Sequence, residues 1–187
     1  MKLTILPTST SDLIYILDDV FEAYEQAHLR MWLEKAAYVF SIPGMDMLED
    51  RQQRALSCFL TDEQIESLGM FERDNFKSAT KMLEDRKRIR VWANLTTYMT
   101  DCHYHVDWYD SRGAMTCIYY ANTVWEKNWG GETIICNRDD EVELAVEAKP
   151  NRILIFPSRL NHRVANLSRH APPHRFVIVS LWGEAEG

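Results

Sequence analysis

The stretch Arg175-Phe176-Val177-Ile178-Val179-Ser180-Leu181-Trp182 is a nearly continuous run of apolar residues behind a single cation. A run of this length that is rich in β-branched and aromatic residues is typical of a β-strand. Similar short runs recur after Arg90, and turn residues such as Lys149-Pro150-Asn151 separate them. The predicted strands lie near residues 90–99, 103–107, 114–122, 131–136, 141–147, 152–156, 161–166 and 175–182. Short strands at such even spacing fit a jelly roll made of two sheets.

The first half of the chain has a helical pattern. Apolar residues at steps of three and four follow the cap candidates Ser9–Asp12 and predict an amphipathic helix over residues 12–36. A break follows at Pro43-Gly44, and Thr61–Gln64 then has the spacing of a capping box that opens another helix. The helical pattern continues over residues 71–83. Helices followed by strands indicate an α+β fold in which the helices cover one sheet.

The length of 187 residues is enough for one domain. We therefore predict a single domain over residues 1–187, with residues 1–88 as a helical support and residues 89–183 as the strand-rich core. The turn between the strands near 103–107 and 114–122 is expected at Asp110–Gly113.

The composition is that of an ordinary water-soluble globular protein, with 46% hydrophobic and 26% charged residues. A formal net charge of −7 argues against nucleic-acid binding as the main task. No apolar run approaches the roughly 18 residues of a membrane span, and the first residues lack a secretory pattern. A cytoplasmic location is expected. The four cysteines form no C-x-x-C pair, so we expect reduced thiols.

Two histidines and one aspartate have the pattern of a metal site. His105 and Asp107 are two residues apart in a predicted strand, so their side chains point to the same face. His162 lies in another predicted strand. Two imidazoles and one carboxylate on one face of an octahedral ion leave three positions open, which is the arrangement of non-haem Fe(II) oxygenases. The pattern predicts such a site.

Arg175 opens the most apolar of the predicted strands. A guanidinium that points into a barrel needs an anionic partner, because an unpaired buried charge is costly. A dicarboxylic acid with one end on the metal and the other on Arg175 would supply that partner.

Taken together and in order, these motifs resemble the 2-oxoglutarate/Fe(II)-dependent dioxygenases. Within that superfamily the chain is most similar to the prolyl 4-hydroxylases, including the oxygen-sensing type. The resemblance covers about residues 90–182. The segments that carry it are His105-Val106-Asp107, Met115–Asn122, Trp129–Thr133, Pro150–Phe156, His162-Arg163-Val164 and Arg175-Phe176.

The resemblance implies a double-stranded β-helix, that is, a jelly-roll or cupin-like barrel. His105, Asp107 and His162 would hold Fe(II), and 2-oxoglutarate would chelate the iron through its 1-carboxylate and keto oxygen. Arg175 would bind the 5-carboxylate. O₂ would be the second co-substrate, and ascorbate is a further cofactor that the resemblance suggests.

Two tyrosines are also assigned by the resemblance. Tyr120 occupies the position whose phenol assists the binding of the 5-carboxylate. Tyr98, which precedes the first metal ligand, could also line the pocket.

The implied reaction hydroxylates an unactivated C–H bond and decarboxylates 2-oxoglutarate to succinate and CO₂. The leading substrate is a prolyl residue in a peptide or protein. A free amino acid or small metabolite is the alternative substrate, and it would need an enclosed pocket rather than an open groove. The alternative from another class is a non-catalytic jelly roll that binds metal as a sensor or binding protein. The sequence leaves the oligomeric state open.

Overall fold

The computed structural model describes residues 1–39, 56–108 and 113–184. The break expected at Pro43-Gly44 and the turn residues 110–112 lie outside these residues. The helices and strands in the described parts of the chain are β1 (Lys2–Pro7), β2 (Leu13–Asp18), α1 (Ala23–Lys35), β3 (Leu56–Phe59), α2 (Asp62–Leu68), α3 (Asp74–Ala79), β4 (Arg86–Thr96), β5 (Met115–Tyr120), β6 (Thr133–Cys136), β7 (Val142–Val146), β8 (Arg152–Pro157), β9 (His162–Val164) and β10 (Arg175–Glu184).

The strands form two antiparallel sheets. The large sheet has the order β1-β2-β8-β5-β10-β4-β3, and the small sheet has the order β7-β6-β9. Side chains from both sheets meet in one buried cluster, to which β5 contributes Ile118 and Tyr120 and β6 contributes Ile135. Because the two sheets face each other across this cluster, the fold is the expected double-stranded β-helix.

The helices cover the other face of the large sheet. Residues of β5 alternate, so Cys117 and Tyr119 point away from the small sheet and join a second buried cluster. That cluster contains Leu29 and Leu33 of α1 and Phe76 of α3. The prediction that helices support one sheet of an α+β fold is confirmed.

The helix predicted over residues 12–36 is wrong in its first half. Residues 13–18 form β2, which pairs with β1 on one side and β8 on the other, and the helix begins only at Ala23. The residues expected to cap the helix form the turn between β1 and β2, where Ser11 has a φ of 66°. Residues 1–88 are therefore not a purely helical support, since they also contain β1, β2 and β3.

The boundaries of the other predicted helices and strands differ less from those in the structure. Strand β4 begins at Arg86 and runs through the expected boundary at residue 89. The strand expected over residues 103–107 is reduced to one bridge between His105 and His162. Thr61 caps α2 and forms the expected capping box with Gln64, while residues 71–83 contain only the short helix α3 and a 3₁₀ turn.

No helix in the described parts of the chain is long and apolar enough to cross a membrane. The cytoplasmic location and the single-domain organisation stay predictions.

Candidate active site

Three candidate metal ligands converge at one end of the barrel. His105 and His162 are joined by two backbone hydrogen bonds, of 2.9 Å from the His105 N–H and 2.8 Å from the His162 N–H. The Asp107 carboxylate lies 3.7 Å from His105 Nε2 and 3.5 Å from His162 Nε2. One ligand atom from each of the three residues lies within 4.8 Å of the other two. The arrangement could hold one metal ion on one face, as the sequence predicted.

Backbone carbonyls orient both imidazoles. His105 Nδ1 lies 3.0 Å from the carbonyl of His103, and His162 Nδ1 lies 3.0 Å from the carbonyl of Leu160. Because a carbonyl oxygen only accepts, each Nδ1 donates, and each Nε2 faces the centre of the site, where a neutral imidazole would offer its lone pair to a metal ion.

Strand β5 supports the carboxylate. The Thr116 hydroxyl donates a hydrogen bond of 2.7 Å to Asp107 Oδ2, and the same hydroxyl lies 3.0 Å from Ser158 Oγ. The sequence analysis missed Thr116. The alternation of β5 could have found it, because Thr116, Ile118 and Tyr120 share one face of the strand.

The pKa values of the two imidazoles are shifted in opposite directions. Burial by itself lowers the pKa of His105, but the hydrogen bond with Cys102 and the charge of Asp107 outweigh it and raise this pKa to about 9. Burial lowers the pKa of His162 to about 4, and the charge of Asp107 does not compensate. A cation between the three side chains would take the place of the His105 proton.

Arg175 lies at the other end of the same cavity and is 1% exposed. Within the parts of the chain that the structure describes, its Nε and Nη1 atoms have no hydrogen-bond partner. Burial lowers the pKa of Arg175, although nearby Tyr120, Cys102 and Glu132 oppose the shift. A buried cation without a partner is costly, so the cavity fits an anion. This orphaned guanidinium fits the distal carboxylate of 2-oxoglutarate.

Tyr120 lies beside Arg175. The guanidinium carbon is 5.2 Å from the centre of the Tyr120 ring, and the phenol lies 2.7 Å from the hydroxyl of Thr133. Thr133 lines the cavity. Tyr120 therefore contacts two side chains that line the cavity, Thr133 and Arg175.

Tyr98 is not brought to this cavity. Its side chain is 54% exposed, whereas Thr96 and Thr100 on either side of it line the cavity wall. Strand β4 ends at Thr96, and a turn closed by a 3.0 Å hydrogen bond from the Thr100 N–H to the Thr97 carbonyl directs Tyr98 outwards.

Comparison with known proteins agrees with this geometry. Residues 92–182 match the family model described as the 2OG-Fe(II) oxygenase superfamily. A comparison of the sequence with curated proteins finds no match.

Solved structures with the same fold include two prolyl hydroxylases. A prolyl hydroxylase from Trichoplax adhaerens, in complex with a hypoxia inducible factor oxygen degradation domain peptide fragment, has a TM-score of 0.68 and 15% identity, covering 91% of this chain and 83% of that chain. A prolyl-4-hydroxylase from Pseudomonas putida has a TM-score of 0.63 and 14% identity, covering 92% of both chains. These likenesses establish the fold.

A third similar structure is HygX from Streptomyces hygroscopicus with nickel, 2-oxoglutarate and hygromycin B bound. Its TM-score is 0.61 at 11% identity, covering 92% of this chain and 83% of that chain. The cofactor and co-substrates that the sequence predicted, Fe(II), 2-oxoglutarate and O₂, are those of the matched superfamily. Residues 92–182 of this chain, just under half of its length, therefore match the 2OG-Fe(II) oxygenase superfamily, in agreement with the resemblance seen in the sequence.

Proposed function

We propose that this oxygenase hydroxylates an unactivated C–H bond of a prolyl residue in a peptide or protein and decarboxylates 2-oxoglutarate to succinate and CO₂. The observation that carries the co-substrate is the Arg175 guanidinium, which shares a cavity with the His105, Asp107 and His162 cluster and has two nitrogens without a partner among the described residues. The prolyl hydroxylases among the similar structures, one of them solved with a peptide, support the substrate class.

In this proposal each side chain has one role. His105, Asp107 and His162 bind Fe(II) through two imidazole nitrogens and one carboxylate oxygen. Arg175 binds the 5-carboxylate of 2-oxoglutarate through a charge-assisted hydrogen bond. Tyr120 positions the Thr133 hydroxyl at the same end of the cavity.

Bound Fe(II), together with 2-oxoglutarate and O₂, supplies the oxidising power that breaks a C–H bond. The protein contributes orientation and shielding from water. Thr116 holds the Asp107 carboxylate in place, and the apolar residues Ile118, Val177 and Val179 form the cavity wall between the two ends. Three protein ligands leave positions free for co-substrates, which favours catalysis over the non-catalytic sensor.

The test is turnover of synthetic proline-containing peptides by the purified chain. We expect succinate to form only with Fe(II), 2-oxoglutarate and O₂ present, and mass spectrometry to place one added oxygen on proline. His162→Ala should lose Fe(II) binding and turnover together. His170→Ala, which changes an exposed loop histidine, is the matched control and should retain both. Binding of Fe(II) without binding or consumption of 2-oxoglutarate would contradict the proposal.

A free amino acid or small metabolite is the second candidate substrate. The similar structure of HygX holds hygromycin B, so this fold accommodates a small molecule. Hydroxylation of free L-proline without hydroxylation of any peptide would favour this candidate.

A further inference from the structure

One side of the candidate active-site cavity is lined by side chains other than the metal ligands and Arg175. Strands β3 and β4, at one edge of the large sheet, point a row of polar and aromatic side chains into it. These side chains are Ser57, Phe59, Arg90, Trp92 and Asn94.

The strand register gives the depth of this row. Arg175 pairs with Thr96 at one end of the cavity, and Leu181 pairs with both Arg90 and Thr116 at the other end. Thr116 holds the Asp107 carboxylate. Arg90 therefore lies at the level of the candidate metal ligands, across β10 from them, and far from the Arg175 end.

The side chains between these ends form an aromatic wall with polar groups. The rings of Phe59 and Trp92 are stacked, with centres 6.2 Å apart and planes at 27°. The Arg90 guanidinium carbon lies 5.8 Å from the centre of the Phe59 ring. Ser57 donates a 2.7 Å hydrogen bond to Asn94 Oδ1, which leaves the Asn94 side-chain N–H groups available to a ligand.

Arg90 has no carboxylate partner within residues 1–39, 56–108 and 113–184. Some other cations of this acidic chain do have such partners: Arg138 and Arg159 pair with Asp12, and Arg152 pairs with Asp18. A guanidinium that rests against an aromatic ring on a cavity wall offers its donors to an anion, and a carboxylate matches its geometry.

We infer that Arg90, Trp92 and Asn94 form the substrate subsite, and that the substrate presents a carboxylate to Arg90 close to the carbon that is hydroxylated. This inference rests on the proposed function, because it specifies the substrate of the same site. The aromatic pair Phe59 and Trp92 takes the apolar ring of the substrate. Two sources share this chemistry: the α-carboxylate of a free amino acid, and an acidic side chain next to a proline in a peptide.

The experiment measures binding without turnover. The Fe(II)- and 2-oxoglutarate-loaded protein is titrated anaerobically by calorimetry with two matched pairs of probes. L-Proline and L-prolinamide differ in a free carboxylate, while acetyl-Glu-Pro-Glu-amide and acetyl-Gln-Pro-Gln-amide differ in acidic side chains. The wild type should prefer the carboxylate member of one pair by about ten- to a hundred-fold, the range for a hydrogen bond to a charged group.

Arg90→Gln should abolish that preference while leaving the affinity for the amide member unchanged. Arg90→Lys should restore part of it. The matched control is Lys87→Gln, which removes one positive charge from the same strand at an exposed position outside the cavity, and it should bind as the wild type does.

The pair that shows the preference identifies the source of the carboxylate. Equal binding within both pairs, or a preference that survives in Arg90→Gln, would overturn the inference and leave prolyl hydroxylation standing. Absence of binding by all four probes would overturn both proposals.

Discussion

At the scale of single residues, Arg175 is a buried charge for which we propose a role in binding rather than in folding. The residue is 1% exposed, and two of its guanidinium nitrogens lack partners within the described residues. Even a buried ion pair can often be replaced by apolar side chains of similar volume with no loss, or with a gain of about 1–4 kcal/mol, and a buried charge without a partner is costlier than a pair. The sequence predicted this residue because it stands alone at the start of an apolar strand.

We expect Arg175→Met to separate the contribution of Arg175 to 2-oxoglutarate binding from its effect on the stability of the fold. The variant should bind 2-oxoglutarate about ten- to over a hundred-fold more weakly, since hydrogen bonds to charged groups contribute about 1.5–3 kcal/mol. Without 2-oxoglutarate it should unfold at the same or a higher temperature than the wild type. Calorimetric titration and thermal unfolding measure these quantities. Unchanged affinity for 2-oxoglutarate would show that Arg175 does not bind it.

Gly131 shapes the space that Arg175 occupies. A Cβ atom at this position would lie 2.8 Å from Leu167 Cδ2 and 2.9 Å from Arg175 Cδ, and φ is +80°. Gly131→Ala should therefore cost more than the roughly 1–2 kcal/mol of a left-handed backbone alone, and it should weaken 2-oxoglutarate binding by shifting Arg175. Chemical denaturation measures the loss of stability, and calorimetric titration measures the affinity for 2-oxoglutarate.

Gly69→Ala is the control for the backbone cost. Gly69 has a φ of +62°, but a Cβ there would meet nothing closer than 3.7 Å. The Gly69→Ala variant should lose stability without any change in its affinity for 2-oxoglutarate. Equal behaviour of the two variants would show that the contact between Gly131 and Arg175 has no functional consequence.

At the scale of elements, β2 shows where sequence patterns are ambiguous. Its apolar run Leu13-Ile14-Tyr15-Ile16-Leu17 is short, and a short apolar run fits a strand or a buried helix equally well. The periodicity continued into α1, so one helix was predicted across both. Pairing with β8, more than 130 residues later in the chain, decides the outcome, and no local pattern contains that information.

Helix α2 is an element whose start the sequence did predict. The Thr61 hydroxyl accepts a hydrogen bond from the Gln64 N–H, and the Gln64 side chain accepts one from the Thr61 N–H. Thr61→Ala should lower the free energy of unfolding by about 1 kcal/mol. Thr123→Ala, at an exposed loop position, is the control and should change it little. Chemical denaturation measures both changes. If the two variants lost the same free energy of unfolding, the cap would contribute nothing to stability.

At the scale of the whole molecule, the sequence predicted those site residues that strand alternation and side-chain chemistry are enough to identify. His162 and Arg175 lie in strands β9 and β10, and a single bridge to His162 brings His105, together with Asp107, to the same cavity. The wall made by β3 and β4 was not predicted, since it depends on which strand lies next to which. Tyr98 was assigned by resemblance alone, and the path of the chain after β4 determines its actual position.

Contacts between distant parts of the chain also make the fold sensitive to acid. Asp18 of β2 accepts hydrogen bonds of 2.7 and 3.1 Å from Arg152 of β8, and Lys149 lies 3.1 Å from the same carboxylate. Burial by itself raises the pKa of Asp18, but hydrogen bonds and charges from Arg152 and Lys149 outweigh it and hold this pKa below its usual value. The folded state therefore favours the ionised form.

The sign of the pH effect follows from that shift. Above the unfolded pKa of about 3.9 the carboxylate contributes its full stabilisation, and this is lost as the pH falls through the lower folded value. Asp18→Asn should thus lower the free energy of unfolding at pH 7, with a smaller difference from the wild type at pH 3. Urea denaturation at both values measures this, with Glu66→Gln, an exposed helix position, as the control. A difference that stays constant between the two pH values would show that the Asp18 charge does not stabilise the junction between β2 and β8, and that the variant acts through packing alone.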